Sequence, residues 1–96
     1  MIADDRERPS ILIVEDNPAN LILVQAVLQR AGFRTDLARD ADEAAARLEA
    51  SRPDLILMDI QLPGRDGLAL TGEIKGNPET ASIPIIALTA HAMMED

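Results

Sequence analysis

The chain has 96 residues, of which 47% are hydrophobic and 27% are charged, and this length is enough for one small domain with one core. Seventeen acidic residues stand against nine basic ones, so the formal net charge is -8. A net charge of this sign opposes phosphate backbones and anionic membrane surfaces, which argues against binding of nucleic acid or membrane by this chain. The absence of cysteine excludes a disulfide framework and fits a reducing cytoplasm.

The first predicted elements are a central strand and a helix. Residues 1–9 are charged and end at Pro9, so we expect a mobile lead-in there and a folded domain over residues 10–96. Residues 11–14 form a continuous apolar run, which is typical of a strand buried on both faces. Asn17 and Pro18 then predict a helix start, and Gly32 predicts its end. The apolar residues at helical spacing between them are Leu21, Val24 and Leu28.

The later elements continue the alternation of strands and helices. Residues 33–38 alternate apolar and polar side chains, which favours an edge strand. Asp40 and Glu43 resemble a capping box, and the alanine-rich stretch that follows predicts a second helix to residue 50. We expect the remaining elements at residues 54–58 (third strand), 66–75 (third helix) and 83–88 (fourth strand).

Strands joined by helices of this length require right-handed crossovers, so the chain predicts an α/β fold with a doubly wound parallel sheet. Ligands in such sheets bind beyond the carboxyl ends of the strands. Glu15 and Asp16 follow the first predicted strand and Asp59 follows the third, while Thr89 lies at the end of the fourth. Crowded carboxylates raise one another's pKa unless a cation shares the site, so this placement predicts a pocket for a divalent metal.

Each of these residues also has a structural alternative. Asp16 can cap the first helix, and Glu15 can be a solvated charge at the helix entry. Asp59 and Thr89 can simply end their strands. The sequence leaves these readings open for each residue taken singly, whereas the coincidence of all four at one edge of the sheet favours a functional site.

Three motifs resemble the receiver domain of two-component response regulators. These are ILIVEDNPAN with the acidic pair, DLILMDIQLPGRDG with a central aspartate, and PIIALTA with a threonine. They occur in the order and at the spacing of that family and cover nearly all of residues 10–96. The resemblance implies a flavodoxin-like sheet with strand order 2-1-3-4.

The resemblance also implies a role for each matching residue. Asp59 would accept a phosphoryl group from a histidine kinase or a phosphotransfer protein. Asp16 and Asp59 would hold Mg²⁺, with Glu15 acting mainly through water and the backbone carbonyl of Gln61 completing the ligand set. Thr89 would hydrogen-bond the new phosphoryl oxygens. The chain would be a phosphoacceptor with at most self-catalysed phosphotransfer and dephosphorylation, and not an enzyme.

The match to the family pattern ends at residue 96, within the expected fourth helix. The fifth strand, the fifth helix and the lysine that clamps the phosphoryl group have no counterpart in this sequence, so we expect a receiver truncated at its carboxyl end. An exposed apolar edge on the fourth strand then predicts self-association, most simply as a homodimer.

Two other functions remain as alternatives. One is a receiver-like assembly module that is never phosphorylated. The other is a phosphohydrolase of the haloacid-dehalogenase type, which is disfavoured because that family places a second aspartate where Gln61 stands.

Overall fold

Short apolar runs separated by amphipathic stretches form strands and helices in turn. A computed structural model describes residues 8–59 and 67–88, and the predicted alternation holds throughout these ranges. The elements are β1 (Ser10–Val14), α1 (Pro18–Arg30), β2 (Arg34–Ala38), α2 (Ala41–Ala50), β3 (Leu55–Asp59), α3 (Gly67–Gly76) and β4 (Ile85–Leu88).

The four strands form one parallel sheet in the order β2-β1-β3-β4, which confirms the predicted order. The chain leaves β1 toward β2 on one side and later returns to place β3 on the other side. The order therefore reverses between β1 and β3, and the crevice beyond their carboxyl ends is where such sheets place ligands.

Two strands begin later than predicted. Phe33 precedes β2, because its N–H donates to the carbonyl of Leu28 at 3.1 Å and closes the end of α1 instead of joining the sheet. Ile83 is buried, but its N–H donates to the carbonyl of Thr80 at 3.0 Å within a turn, so β4 begins only at Ile85. In both places an apolar residue packs into the core without pairing as a strand.

The third strand and the end of the third helix lie one residue further along the chain than predicted. The third strand covers Leu55–Asp59, so Asp59 is its last residue and not the first one beyond it. The third helix covers Gly67–Gly76, while its predicted first residue, Asp66, lies outside the described residues. Residues 1–7 of the predicted lead-in also lie outside them, and the domain division at residue 10 stays a prediction.

Capping residues fix the helix ends as the sequence predicts. The Asn17 side chain accepts the N–H groups of Ala19 and Asn20 at 2.9 and 3.2 Å. Asp40 accepts the N–H of Glu43 at 2.8 Å, and Glu43 in return accepts the N–H of Arg39, one residue earlier than in the usual capping box. Gly32 has a φ of 98°, a backbone conformation that favours glycine after a helix.

Side chains on the two faces of the sheet enter two separate apolar clusters, because neighbouring residues of a strand point to opposite faces. The cluster on the α1 side contains Ile11, Ile13 and Leu57, with Val24, Leu28 and Phe33 packed against it. The cluster on the α2 and α3 side contains Leu12, Val14, Ala38, Ala41, Ala44, Leu48, Ile56, Met58, Leu70, Ile74 and Ile83. Helices thus cover both faces, as the doubly wound prediction requires. None of the described helices combines the length and the apolar character needed to cross a membrane.

Candidate metal centre

Three carboxylates converge at the carboxyl ends of the two central strands. Val14 pairs with Met58 in the parallel register of β1 and β3, so Glu15 and Asp59, each one residue further on, emerge side by side. One carboxylate oxygen each from Glu15, Asp16 and Asp59 lies within 4.8 Å of the others. The structure therefore brings together three of the residues that the sequence singled out.

Glu15 is fixed in this cluster by backbone contacts on both sides. Its own N–H donates to the carbonyl of Ala38 at 2.9 Å, which extends the pairing of β1 with β2 by one residue. Its Oε2 accepts the N–H of Asn17 at 3.1 Å. Only 6% of the residue is exposed, so Glu15 is an integral part of the fold and not a solvated charge at the helix entry.

Burial raises the pKa of the Glu15 carboxyl above its usual range. The hydrogen bond from the Asn17 N–H works in the opposite direction, while contact with Asp59 and the negative charges of Asp59 and Asp16 add to the rise. A cation placed among the three carboxylates would reverse this balance, since it would favour the ionised form of each.

The helix-cap alternative for Asp16 is wrong, because Asn17 occupies that role. Asp16 is exposed at the mouth of the cluster, and its side chain forms no hydrogen bond or ion pair in the part of the chain that the structure describes. Its carboxylate is thus available to a ligand at the same edge as the other two.

The donor set suits a hard divalent cation. Mg²⁺ and Ca²⁺ prefer carboxylate and carbonyl oxygens, and Mg²⁺ in proteins is commonly held by one or two carboxylates together with water and phosphate oxygens. Asp16 is exposed, Asp59 is half-buried and Glu15 is buried, so the cluster reaches solvent at Asp16.

Two predicted site residues, Gln61 and Thr89, lie outside the described residues. The register of β3 and β4 pairs Asp59 with Leu88, the residue immediately before Thr89 in the sequence. Lys75 is used elsewhere, because its Nζ donates to the carbonyls of Ala81 and Ile83 at 3.0 and 2.8 Å and ties α3 to the turn before β4.

One surface feature near the site escaped the sequence analysis. The outer face of α1 exposes Ile22, Leu23 and Val27 by 63%, 58% and 58%, although the inner face of the same helix already packs on the sheet. The sequence already indicated this surface, because α1 is apolar on nearly all sides. A helix of this kind is usually buried on both its inner and its outer face.

A parallel sheet in the order 2-1-3-4 with an acidic cluster beyond β1 and β3 defines a class of signalling domain. The family model of the response regulator receiver domain matches residues 11–96, and the chain belongs to this family. Neither this family nor the relatives and solved structures that the chain resembles favour the phosphohydrolase alternative.

Named relatives include both separate regulators and sensor proteins. The polar-differentiation response regulator DivK of Brucella anthropi is 45% identical over 87 residues, which are 91% of this chain and 71% of that protein. The sensor protein GacS of Pseudomonas syringae pv. syringae is 41% identical over 92% of this chain, which spans 10% of that protein. The chain therefore corresponds to a large part of the first relative and a small part of the second.

Among solved structures, a receiver domain of a sensor histidine kinase from Pseudomonas aeruginosa PAO1 superposes with a TM-score of 0.83 at 43% identity. The match covers 93% of this chain and 73% of that one, which holds a magnesium ion in its active-site cleft. The signal receiver domain of a histidine kinase from Syntrophus aciditrophicus matches with a TM-score of 0.81 at 41% identity, over 84% of this chain and 61% of that one.

Proposed function

We propose that this chain accepts a phosphoryl group on Asp59 from the phosphohistidine of a histidine kinase or a phosphotransfer protein. The observation that carries the proposal is the convergence of Glu15, Asp16 and Asp59 at the carboxyl ends of β1 and β3. Membership of the receiver family supports it, and so does a magnesium-bound relative of the same fold.

The chemistry needs a nucleophile that is ready at neutral pH. A carboxylate oxygen of Asp59 forms a bond to phosphorus, the phosphorus–nitrogen bond of the donor breaks, and its electron pair leaves with the imidazole. Glu15 and Asp16, with Asp59, would hold Mg²⁺. When bound, this ion offsets the repulsion between the carboxylates and the phosphate oxygens.

The finer roles rest on the resemblance to the family. The backbone carbonyl of Gln61 would complete the metal ligands, and Thr89 would donate a hydrogen bond to the new phosphoryl oxygens. Any transfer from a small phosphodonor, or hydrolysis of the aspartyl phosphate, would be catalysed by the domain itself. Lys75 is not placed to clamp the phosphoryl group, since its ammonium group is held by two backbone carbonyls.

The outer face of α1 suits the phosphohistidine donor as a docking partner. The helix begins at Pro18, two residues after Asp16, so its first turns lie beside the acceptor site and within reach of a protein that delivers phosphate to Asp59. Ile22, Leu23 and Val27 offer it an exposed apolar surface there, which matches what protein interfaces bury at their centre.

Intact-mass spectrometry after incubation with acetyl phosphate tests the acceptor. We expect a single phosphoryl adduct that requires Mg²⁺ and is absent from Asp59→Asn. Asp42→Asn, the same change on the exposed first turn of α2, is the matched control and should retain the adduct. A folded wild-type chain without any adduct would instead favour the assembly module that is never phosphorylated.

The docking surface has its own test. Leu23→Ser should slow transfer from a phosphorylated histidine-phosphotransfer domain while leaving the acetyl phosphate reaction unchanged, because only the protein donor needs the surface. Ala46→Ser, at an exposed position of α2, is the control. Equal slowing with both donors would show that the variant damages the acceptor site instead.

We also propose that the chain self-associates through β4. This strand is the outer one on its side of the described sheet, and Ile86 on it is 51% exposed. An exposed apolar edge strand is a template for pairing with a second copy. Light scattering over a dilution series should show a dimer that Ile86→Lys weakens, and a wild-type monomer at every concentration would overturn this proposal.

A further inference from the structure

A cavity of about 600 Å³ opens at the amino ends of β1 and β2, at the opposite edge of the sheet from the carboxylates. Four arginines line it: Arg8, Arg34, Arg47 and Arg52. The whole chain has nine basic residues, so nearly half of them meet at one cavity of a strongly acidic protein. Among its described lining residues, Asp36 is the one acid.

Two of these arginines are anchored by one nitrogen each. Arg34 donates through Nε to the carbonyl of Arg8 at 3.1 Å, and Arg47 donates through Nε to the carbonyl of Leu37 at 3.2 Å. In the part of the chain that is described, Arg34 forms no ion pair. A guanidinium fixed in this way keeps its two terminal nitrogens for the paired hydrogen bonds that phosphate and carboxylate oxygens accept.

The two anchored arginines belong to the same side of the sheet. Arg34 and Asp36 are two residues apart on β2 and therefore share a face, and Nε of Arg47 lies 3.5 Å from Oδ1 of Asp36. Arg52 pairs with Glu79 and also donates to the carbonyl of Leu48. Even after Asp36 and Glu79 are counted, Arg34, Arg47 and Arg52 together keep an excess of positive charge.

Apolar residues line another part of the same cavity. Phe33, the single aromatic residue of the chain, and Pro53 both line the cavity and are half-buried. Phe33 is held in place by the α1-side apolar cluster. A flat ring of this kind contacts a base or another planar group at little entropic cost, because the ring is already fixed.

We propose that this cavity binds a small molecule with a diphosphate and a planar group, the class to which nucleoside diphosphates belong. Its phosphates are bound by Arg34 and Arg47, and its planar group packs against Phe33. The volume lies in the range of about 300–1,000 Å³ that is usual for small-molecule sites. The site shares no residue with the acidic cluster, so the inference goes beyond the receiver function and stands or falls separately from it.

Isothermal titration of the chain with ADP tests the proposal. EDTA is included so that no cation bridges the nucleotide to Glu15, Asp16 or Asp59. We expect saturable one-to-one binding with a Kd below about 1 mM. Added salt should weaken this binding. Inorganic pyrophosphate should bind more weakly than ADP, because it cannot contact Phe33.

Matched variants locate the site. Arg34→Ala and Arg47→Ala should each weaken ADP binding by about tenfold or more, as expected for loss of charge-assisted hydrogen bonds. Arg34→Lys keeps the positive charge and is a milder change to the fold, but its ammonium group cannot form the paired hydrogen bonds of a guanidinium. It should weaken ADP binding nearly as much as Arg34→Ala. Arg30→Ala removes the same charge from an exposed position outside the cavity and should change nothing, as should Asp59→Asn.

Three results would overturn the proposal. One is a folded wild-type chain that shows no saturable binding of ADP. Another is equal weakening by Arg34→Ala and Arg30→Ala, which would mean that only overall charge matters. The third is binding of a polyglutamate peptide but not of ADP, which would assign the cavity to an acidic protein segment.

Discussion

At the scale of single residues, Glu15 is a buried carboxylate whose ionised form is disfavoured by its surroundings. It is 6% exposed, and its carboxylate has two others close by. Its ionised form therefore loses hydration and meets two like charges, and the hydrogen bond from Asn17 compensates only in part. In the metal-free chain the ionised form of this residue opposes folding, whereas a cation held among the three carboxylates would favour it.

Glu15→Gln should stabilise the metal-free chain and weaken its binding of Mg²⁺. The amide oxygen can still accept the N–H of Asn17, so the change removes the charge and little else. We expect a gain of about 1 kcal/mol in the free energy of unfolding at neutral pH, or about 4–8 °C in Tm for a domain of this size. Thermal unfolding with and without Mg²⁺ measures both effects.

Glu49→Gln is the control for this prediction, because Glu49 is exposed on α2 and the same change there should alter stability by less than about 0.5 kcal/mol. An equal gain in both variants would trace the effect to overall net charge instead of the acidic cluster.

The same residue predicts a dependence of stability on pH. Because the pKa of Glu15 is raised in the folded chain, the folded state holds its proton over a window where the unfolded state has released it. The favourable contribution of this group is complete below the unfolded pKa and is lost as the pH rises through the folded pKa. The difference in Tm between the wild type and Glu15→Gln should thus vanish at acid pH and grow toward neutral pH.

At the scale of elements, the start of α1 is fixed by one side chain. Asn17 accepts two backbone N–H groups of the first turn, and its own N–H donates to Glu15. The cap therefore links the position of the helix to the position of the buried carboxylate.

Asn17→Ala should cost about 1 kcal/mol of stability through loss of the cap. Asn20→Ala provides a matched comparison, because only the backbone N–H of Asn20 takes part in the cap. Removal of the Asn20 side chain should therefore leave Tm nearly unchanged. Circular dichroism melts of the two variants measure the difference. If both lower Tm equally, the side-chain cap is not what holds the first turn.

Element types could be predicted from the sequence, but not every element boundary. Apolar runs identified β1, β3 and β4, and alternation of apolar and polar residues identified β2. Asn17, Asp40 and Gly32 marked helix ends by local chemistry. The same patterns wrongly assigned Phe33 and Ile83 to strands, because an apolar residue next to a strand cannot be told from part of it by sequence alone. Only the hydrogen bonds to Leu28 and Thr80 decide that these two residues belong to turns.

The candidate site was predictable to a similar degree. Glu15 and Asp59 were found because each follows an apolar run directly, and Asp16 because it follows Glu15. Parallel pairing then brings the ends of adjacent strands together. The arginine cavity left no such local signal. Its four arginines are scattered from residue 8 to residue 52, and only the pairing of β1 with β2 and the packing of α2 unite them.

At the scale of the whole molecule, stability comes from two apolar clusters separated by the sheet. Leu12 is 1% exposed and lies in the cluster under α2 and α3, whereas Leu23 is 58% exposed on α1. The same substitution at the two positions separates the contribution of the core from that of the outer helix face.

Leu12→Ala should lower the free energy of unfolding by about 3 kcal/mol, since it removes buried methyl groups and leaves a cavity. Leu23→Ala should change it by less than about 0.5 kcal/mol, because that side chain is mostly in water in the folded chain as well. Urea denaturation of both variants gives the two values, and comparable losses would mean that α1 is covered in solution, for example by a second copy.

The separation of charge along the strands gives the described part of the molecule an electrical polarity. The carboxylates of the acidic cluster lie at one end of the sheet together with Asp40, Asp42 and Glu43 at the start of α2, and the arginine cavity lies at the other end. A basic protein surface is drawn to the acidic end and turned away from the other before contact. A field of this kind would favour approach of a basic partner to the acidic end of the sheet, over a distance that shrinks to about 8 Å at physiological ionic strength.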